Sequence, residues 1–195
     1  MITTHSLRSR ISNSFGLRLA LCGIILLAGG TGAWGVDYSW TGASNQPWST
    51  AANWNPNGVP GSTATDTVNI SPGATSTVIL DITPANPITQ LTIGANGRLD
   101  MQGGSLTVTG TTSLSGTSGN GVIRKTAGGG TRVLSLQGAV TIGANTTFRI
   151  TDNTGGARLN LQFGSAVVCN LTSYSLTFIN ATAGTGILSV SAGGD

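Results

Sequence analysis

The sequence predicts an all-β chain wound as a β-solenoid. Three observations lead there. From about residue 67 apolar and polar residues alternate, the period of strands with one buried face. Turn-forming phrases separate the runs: "GANG", "QGG", "SGTSGNG", "AGGG", "NTGG" and "AGTG". Phrases also recur. "TIGAN" stands at 92–96 and again at 141–145, and Phe148, Phe163 and Phe178 are evenly spaced. A β-sandwich is the alternative, because it too is built of short strands and turns. It would carry fewer glycine runs and less repetition.

Residues 1–35 read as an export signal. Arg8, Arg10 and Arg18 form a basic start without an acidic residue, and an apolar run follows from Leu19 to about Ala28. Ala33 and Gly35 supply small residues for cleavage before Val36. The run is short for a bilayer span, which needs roughly 20 apolar residues. An uncleaved anchor is the weaker alternative. Cys22 interrupts the apolar run and follows Leu21, so it does not fit a lipid attachment site.

Residues 36–66 hold Trp40, Trp48 and Trp54 in fifteen positions. The end of a β-solenoid exposes apolar side chains and strand edges, which invite association. Bulky indoles can cover that end, each burying roughly 200 Å². Pro47, Pro56 and Pro60 are expected to keep the segment from extending the ladder. The segment therefore reads as a cap. The alternative is a carbohydrate-binding platform, with Trp40, Trp48 and Trp54 as contacts and Asn45, Gln46 and Asn53 as hydrogen-bonding partners.

Residues 67–195 read as the coils. "SLTVTG" points Leu106 and Val108 one way, and "TFRIT" does the same with Phe148 and Ile150. "RLNLQF" presents Leu159, Leu161 and Phe163; "AVVCNLT" presents Val167, Cys169 and Leu171. "YSLTFIN" presents Tyr174, Leu176 and Phe178, and "ILSVSA" presents Leu188 and Val190. Like residues stack from coil to coil, about 4.8 Å apart. The three phenylalanines are expected to share one such stack. Cys169 is expected in the core as a small hydrophobe. Five to eight coils fit the length. The pattern runs to "LSVSAGGD" without an evident closing cap. It leads to the expectation of an N-terminal piece of a longer protein, or of an end that pairs with a partner.

Charge excludes several function classes. After residue 35 six basic residues remain, Arg98, Arg124, Lys125, Arg132, Arg149 and Arg158, against six aspartates and no glutamate. The balance gives no support for nucleic-acid binding. The single His, His5, lies in the export signal, so a Ser–His–Asp or Cys–His site cannot be built from the remainder. No His/Cys cluster suits zinc, and no phosphate-loop lysine follows the glycines. No cofactor is expected. Asp66, Asp81, Asp100 and Asp152 are isolated in sequence and are expected at turns or on the solvent face. Stacking could bring some of them together as carboxylate pairs.

The pattern W-x-G … W-S-x-x-x-N-W … G-x-P-G … D-x-V-x-I falls here on Trp40, Gly42, Trp48, Ser49, Asn53, Trp54, Gly58, Pro60, Gly61, Asp66, Val68 and Ile70. It resembles the opening of large bacterial surface proteins with right-handed parallel β-helix stalks. "GNGVIRKTAGGGTRVLSLQGAVTI" is similar to the autotransporter-associated β-strand repeat at Gly121, Lys125, Gly128, Gly130, Leu134, Leu136 and Gly138. Arg132 and Val133 depart from it. The resemblance implies an exported, adhesin-like, non-enzymatic β-helix at the cell surface or outside the cell, with no common catalytic residue. Its partners would be an extracellular polysaccharide, a host or cell-surface ligand, or a second copy end to end. No membrane contact is expected after signal cleavage. The alternatives are the carbohydrate-binding module and, behind it, a polysaccharide-cleaving β-helix enzyme using aspartates.

Overall fold

The computed structural model describes residues 34–116, 122–152, 156–164, 169–170, 174–180 and 187–192. The signal expected at 1–35 therefore lies outside the described residues except at Trp34 and Gly35. The chain forms a parallel β-solenoid of about five turns. Its first strands are β1 (Asp37–Trp40), β2 (Gln46–Pro47) and β3 (Trp54–Asn55). Then come β4 (Thr67–Ile70) and β5 (Ser76–Ile79). Three full turns follow: β6 (Gln90–Ile93), β7 (Gly97–Asp100) and β8 (Leu106–Val108); β9 (Thr112–Leu114), β10 (Ile123–Lys125) and β11 (Thr131–Leu136); β12 (Val140–Ile142), β13 (Thr146–Ile150) and β14 (Arg158–Phe163). The last described strands are β15 (Cys169–Asn170), β16 (Leu176–Asn180) and β17 (Ile187–Ala192).

Three sheets run along the coil. The first has the order β15-β12-β9-β6-β4-β1-β3, the second β16-β13-β10-β7-β5-β2, and the third β17-β14-β11-β8. Every pairing is parallel except β1 with β3. A β-sandwich would show antiparallel ladders, so that alternative is set aside.

The core is a set of side-chain columns. Ile93, Leu114 and Ile142 face one another in consecutive turns, all buried. The two "TIGAN" phrases thus occupy one site two turns apart. Val78, Leu99, Ile123 and Phe148 form a second column. Leu106, Leu134 and Leu161 form a third. Phe148 pairs with Phe178 in register, with stacked rings 5.5 Å apart. Phe163 does not join them. It lies in the third sheet opposite Leu136, because a full turn here takes 30 residues and half of it reaches another face. The expected triple stack is a pair.

One further expectation changes. The segment 36–66 does not merely sit beyond the ladder. Its strands β1 and β2 pair in parallel with β4 and β5, so the ladder begins inside it. Pro47 is nonetheless on the outermost strand of its sheet, where a missing N–H costs nothing. At Cys169 the backbone pairs with Val140, while the side-chain environment lies outside the described residues. The corners close tightly on the preceding turn. A Cβ at Gly128 would stand 2.1 Å from the Gln102 carbonyl oxygen, and its φ of +88° also favours glycine.

Candidate functional site

The tryptophan segment comes first. Tyr38 and Trp40 alternate inward on β1, Trp54 faces Trp40 across the antiparallel pair, and Trp48 follows β2. Trp40, Trp48 and Trp54 are 5%, 0% and 2% exposed. Trp54 is the hub. Its ring meets Trp40 and Trp48 edge-to-face, each at 4.9 Å, and Tyr38 at 6.4 Å. That geometry suits the negative face and positive edge of aromatic rings.

Each indole N–H has a partner. Trp40 Nε1 donates to Ser76 Oγ at 3.0 Å, Trp48 Nε1 to the Pro60 carbonyl at 3.1 Å, and Trp54 Nε1 to the Trp48 carbonyl at 2.8 Å. Asn53 Nδ2 donates to the Pro47 carbonyl at 2.9 Å, while Asn45 and Gln46 are exposed. In this structure the indoles present no open face to a sugar ring. Stacking on Trp40, Trp48 or Trp54 would require the end of the core to open.

The aspartates occupy corners, as the turn reading expects, but the solvent-face reading fails for three of them. Asp66, Asp100 and Asp152 are at most 1% exposed. They are buried because each accepts donors that the corner would otherwise strand. Asp66 accepts the backbone N–H groups of Val36, Gly61 and Thr63, plus the Thr63 hydroxyl. Burial alone would raise the Asp66 pKa. The hydrogen bonds from the Thr63 side chain and from the Val36, Thr63 and Gly61 backbones outweigh it and hold the carboxyl below its ordinary value. Asp81 accepts the backbone N–H and hydroxyl of Ser49 one turn earlier. Asp100 accepts the same two groups of Thr126 one turn later. Asp152 accepts the Gly129 N–H at 2.9 Å and pairs with Lys125. Each of these carboxylates is spent on corner donors. Among the described residues no group of three His, Cys, Asp or Glu side chains could hold a metal ion. No helix there is long and apolar enough to cross a membrane.

One constellation was missed by sequence reasoning. Arg98 on β7, Arg124 on β10 and Arg149 on β13 all point out of the second sheet, on successive turns. Arg124 and Arg149 face each other in register, and Arg124 is opposite Asp100, two residues after Arg98. Arg124 Nη2 reaches Thr77 Oγ1 at 3.3 Å, so its side chain lies flat across β7 past Arg98. Arg124 Nε lies 3.3 Å from Asp100 Oδ2, an ion-pair distance without hydrogen-bond alignment. Burial, and then the neighbouring Arg124 charge, hold the Arg98 guanidinium below its ordinary value. The signal was the recurrence of an outward Arg at nearly one turn's spacing; it needs the turn length to be seen. In comparisons with protein-family models, curated proteins and solved structures, nothing matches this chain.

Proposed function

We propose that this β-solenoid is an exported, non-enzymatic structural or adhesive protein of the cell surface or extracellular space. The observation that carries the reading is the use of the three tryptophans. They are consumed in closing one end of the coil, behind which apolar columns run from turn to turn. Parallel ladders on three sides make a stiff rod, and small polar side chains on its outer faces suit many weak contacts. The basic and apolar start of the chain supports export. The partners that fit are an extracellular polysaccharide or a cell-surface ligand, and a second copy meeting the coil end to end.

Fractionation of expressing cells, with mass spectrometry of the exported product, tests this reading. A product beginning at Val36 outside the inner membrane is expected. A full-length chain retained in the cytoplasm would contradict it. The enzymatic alternative is tested separately by incubation with acidic polysaccharides. Chain cleavage lost in Asp100→Ala or Asp152→Ala variants that remain folded would establish that alternative.

A further inference from the structure

We propose that the outer face of the second sheet, at Arg98, Arg124 and Arg149, binds the carboxylate or sulfate groups of an acidic polysaccharide. The inference rests on the surface-protein reading and names its ligand class. Three arginines stand on three adjacent strands: Arg124 and Arg149 face each other one ladder step apart, about 4.8 Å, and Arg98 is offset by two residues from Arg124. Like charges in register, as Arg124 and Arg149 are, cost free energy unless something neutralises them. Asp100 is the one carboxylate in ion-pair contact with them among the described residues, and it also holds Thr126 and Gln102. The other acid facing outward nearby, Asp81, is bonded to Ser49 on the tryptophan side of the column.

A second observation is the shape and lining of the surface beside the arginines. The Nε atoms of Arg98, Arg124 and Arg149 are buried and make no hydrogen bond. These Nε atoms are covered by the sheet, and Arg124 Nε lies 3.3 Å from Asp100 Oδ2, so an incoming oxyanion would meet the terminal Nη groups of the half-buried side chains. Beside Arg124 and Arg149 lies an open hollow of about 180 Å³, lined by these two and by Thr126 and Thr151. Guanidinium groups bind planar or tetrahedral oxyanions through paired donors, and threonine hydroxyls exchange hydrogen bonds with sugar hydroxyls.

The face is elongated along the coil, so a linear polymer can present successive anions to successive arginines. A nucleic acid fits less well. Beyond residue 35 the basic and acidic residues balance, and no aromatic lines the hollow for base stacking. The remaining basic side chains are used or placed elsewhere. Lys125 faces inward to Asp152, and Arg132 donates to the carbonyls of Gln102, Thr131 and Gly128. Arg158 lies exposed on the third sheet.

The test is binding of the purified protein to polygalacturonate, dextran sulfate, neutral dextran and polyuridylate, by biolayer interferometry at low and high salt. The proposal expects binding to one or both acidic polysaccharides, none to neutral dextran, and weakening with salt. Arg124→Gln/Arg149→Gln should weaken it by about tenfold or more, while Arg158→Gln leaves it unchanged. Unchanged tryptophan emission in each variant confirms the fold. Equal loss in Arg158→Gln would reduce the effect to net charge and overturn the site. Tighter binding of polyuridylate through the same arginines would replace the ligand class. No binding to either acidic polymer, with export intact, would overturn the site and leave the surface-protein reading standing. Binding by a protein that is never exported would do the reverse.

Discussion

Lys125 Nζ lies 2.8 Å from Asp152 Oδ2 inside the coil, and both side chains are at most 1% exposed. Lys125 occupies an inward position between apolar neighbours. Ile150 pairs with it in the next turn, and Met101 donates its backbone N–H to Arg124 in the turn before. The ammonium also donates to the Ala127 carbonyl, and Asp152 takes the Gly129 N–H. The pair thus fixes the corner at 126–130 from within.

Breaking this pair one side at a time strands a buried charge, which costs about 3–5 kcal/mol. Lys125→Ala and Asp152→Ala should each lower stability by that amount in urea unfolding. Lys125→Met combined with Asp152→Asn should recover most of the loss, because Met suits the apolar column and the Asn oxygen can still accept Gly129. Single-variant losses below about 1 kcal/mol would mean that water reaches the corner.

Asp66 makes the tryptophan end sensitive to acid. Its carboxylate pins Gly61 and Thr63, and the same loop supplies the Pro60 carbonyl that receives Trp48. The folded pKa lies below the ordinary value of 3.8. The linked stability is therefore fully present above 3.8 and is lost as pH falls through the depressed value. Tryptophan emission should stay blue down to about pH 4 and shift red below it. Asp66→Asn should flatten that part of the profile. An identical acid transition in the variant would assign it to another group.

Thr112 stands in an inward column between Leu91 and Val140, and its hydroxyl is buried without a hydrogen-bond partner. Replacing that hydroxyl by a methyl of similar shape removes an unsatisfied polar group. Thr112→Val should stabilise by about 1 kcal/mol and raise Tm by roughly 2–4 °C. A lower Tm would show that the hydroxyl has a partner in solution.

The alternation that marks strands is local, so most of the coil was legible from residues such as Leu106, Val108, Leu159 and Leu161. Turn length was not, because it changes along the chain. Leu91 meets Thr112 after 21 residues, whereas Phe148 meets Phe178 after 30. Even spacing of phenylalanines therefore misled, and the "TIGAN" echo spans two turns. The same variation hid the chemistry. Asp100 and Thr126 are far apart in sequence yet bonded across one step of the ladder. Arg98, Arg124 and Arg149 read as scattered charges until the register sets Arg149 opposite Arg124 and leaves Arg98 two residues away on the next strand. Thr112 and Lys125 break the apolar pattern because a column tolerates a polar residue where size fits or a partner is buried with it.

The most direct measurement is iodide quenching of tryptophan fluorescence, with and without polysaccharides, on the chain beginning at Val36, which lacks the 92% exposed Trp34. Blue emission that resists iodide and is unchanged by any sugar polymer is expected, since Trp40, Trp48 and Trp54 close the core. Red emission that iodide quenches and one polysaccharide protects would place the ligand on the indoles and contradict that closure.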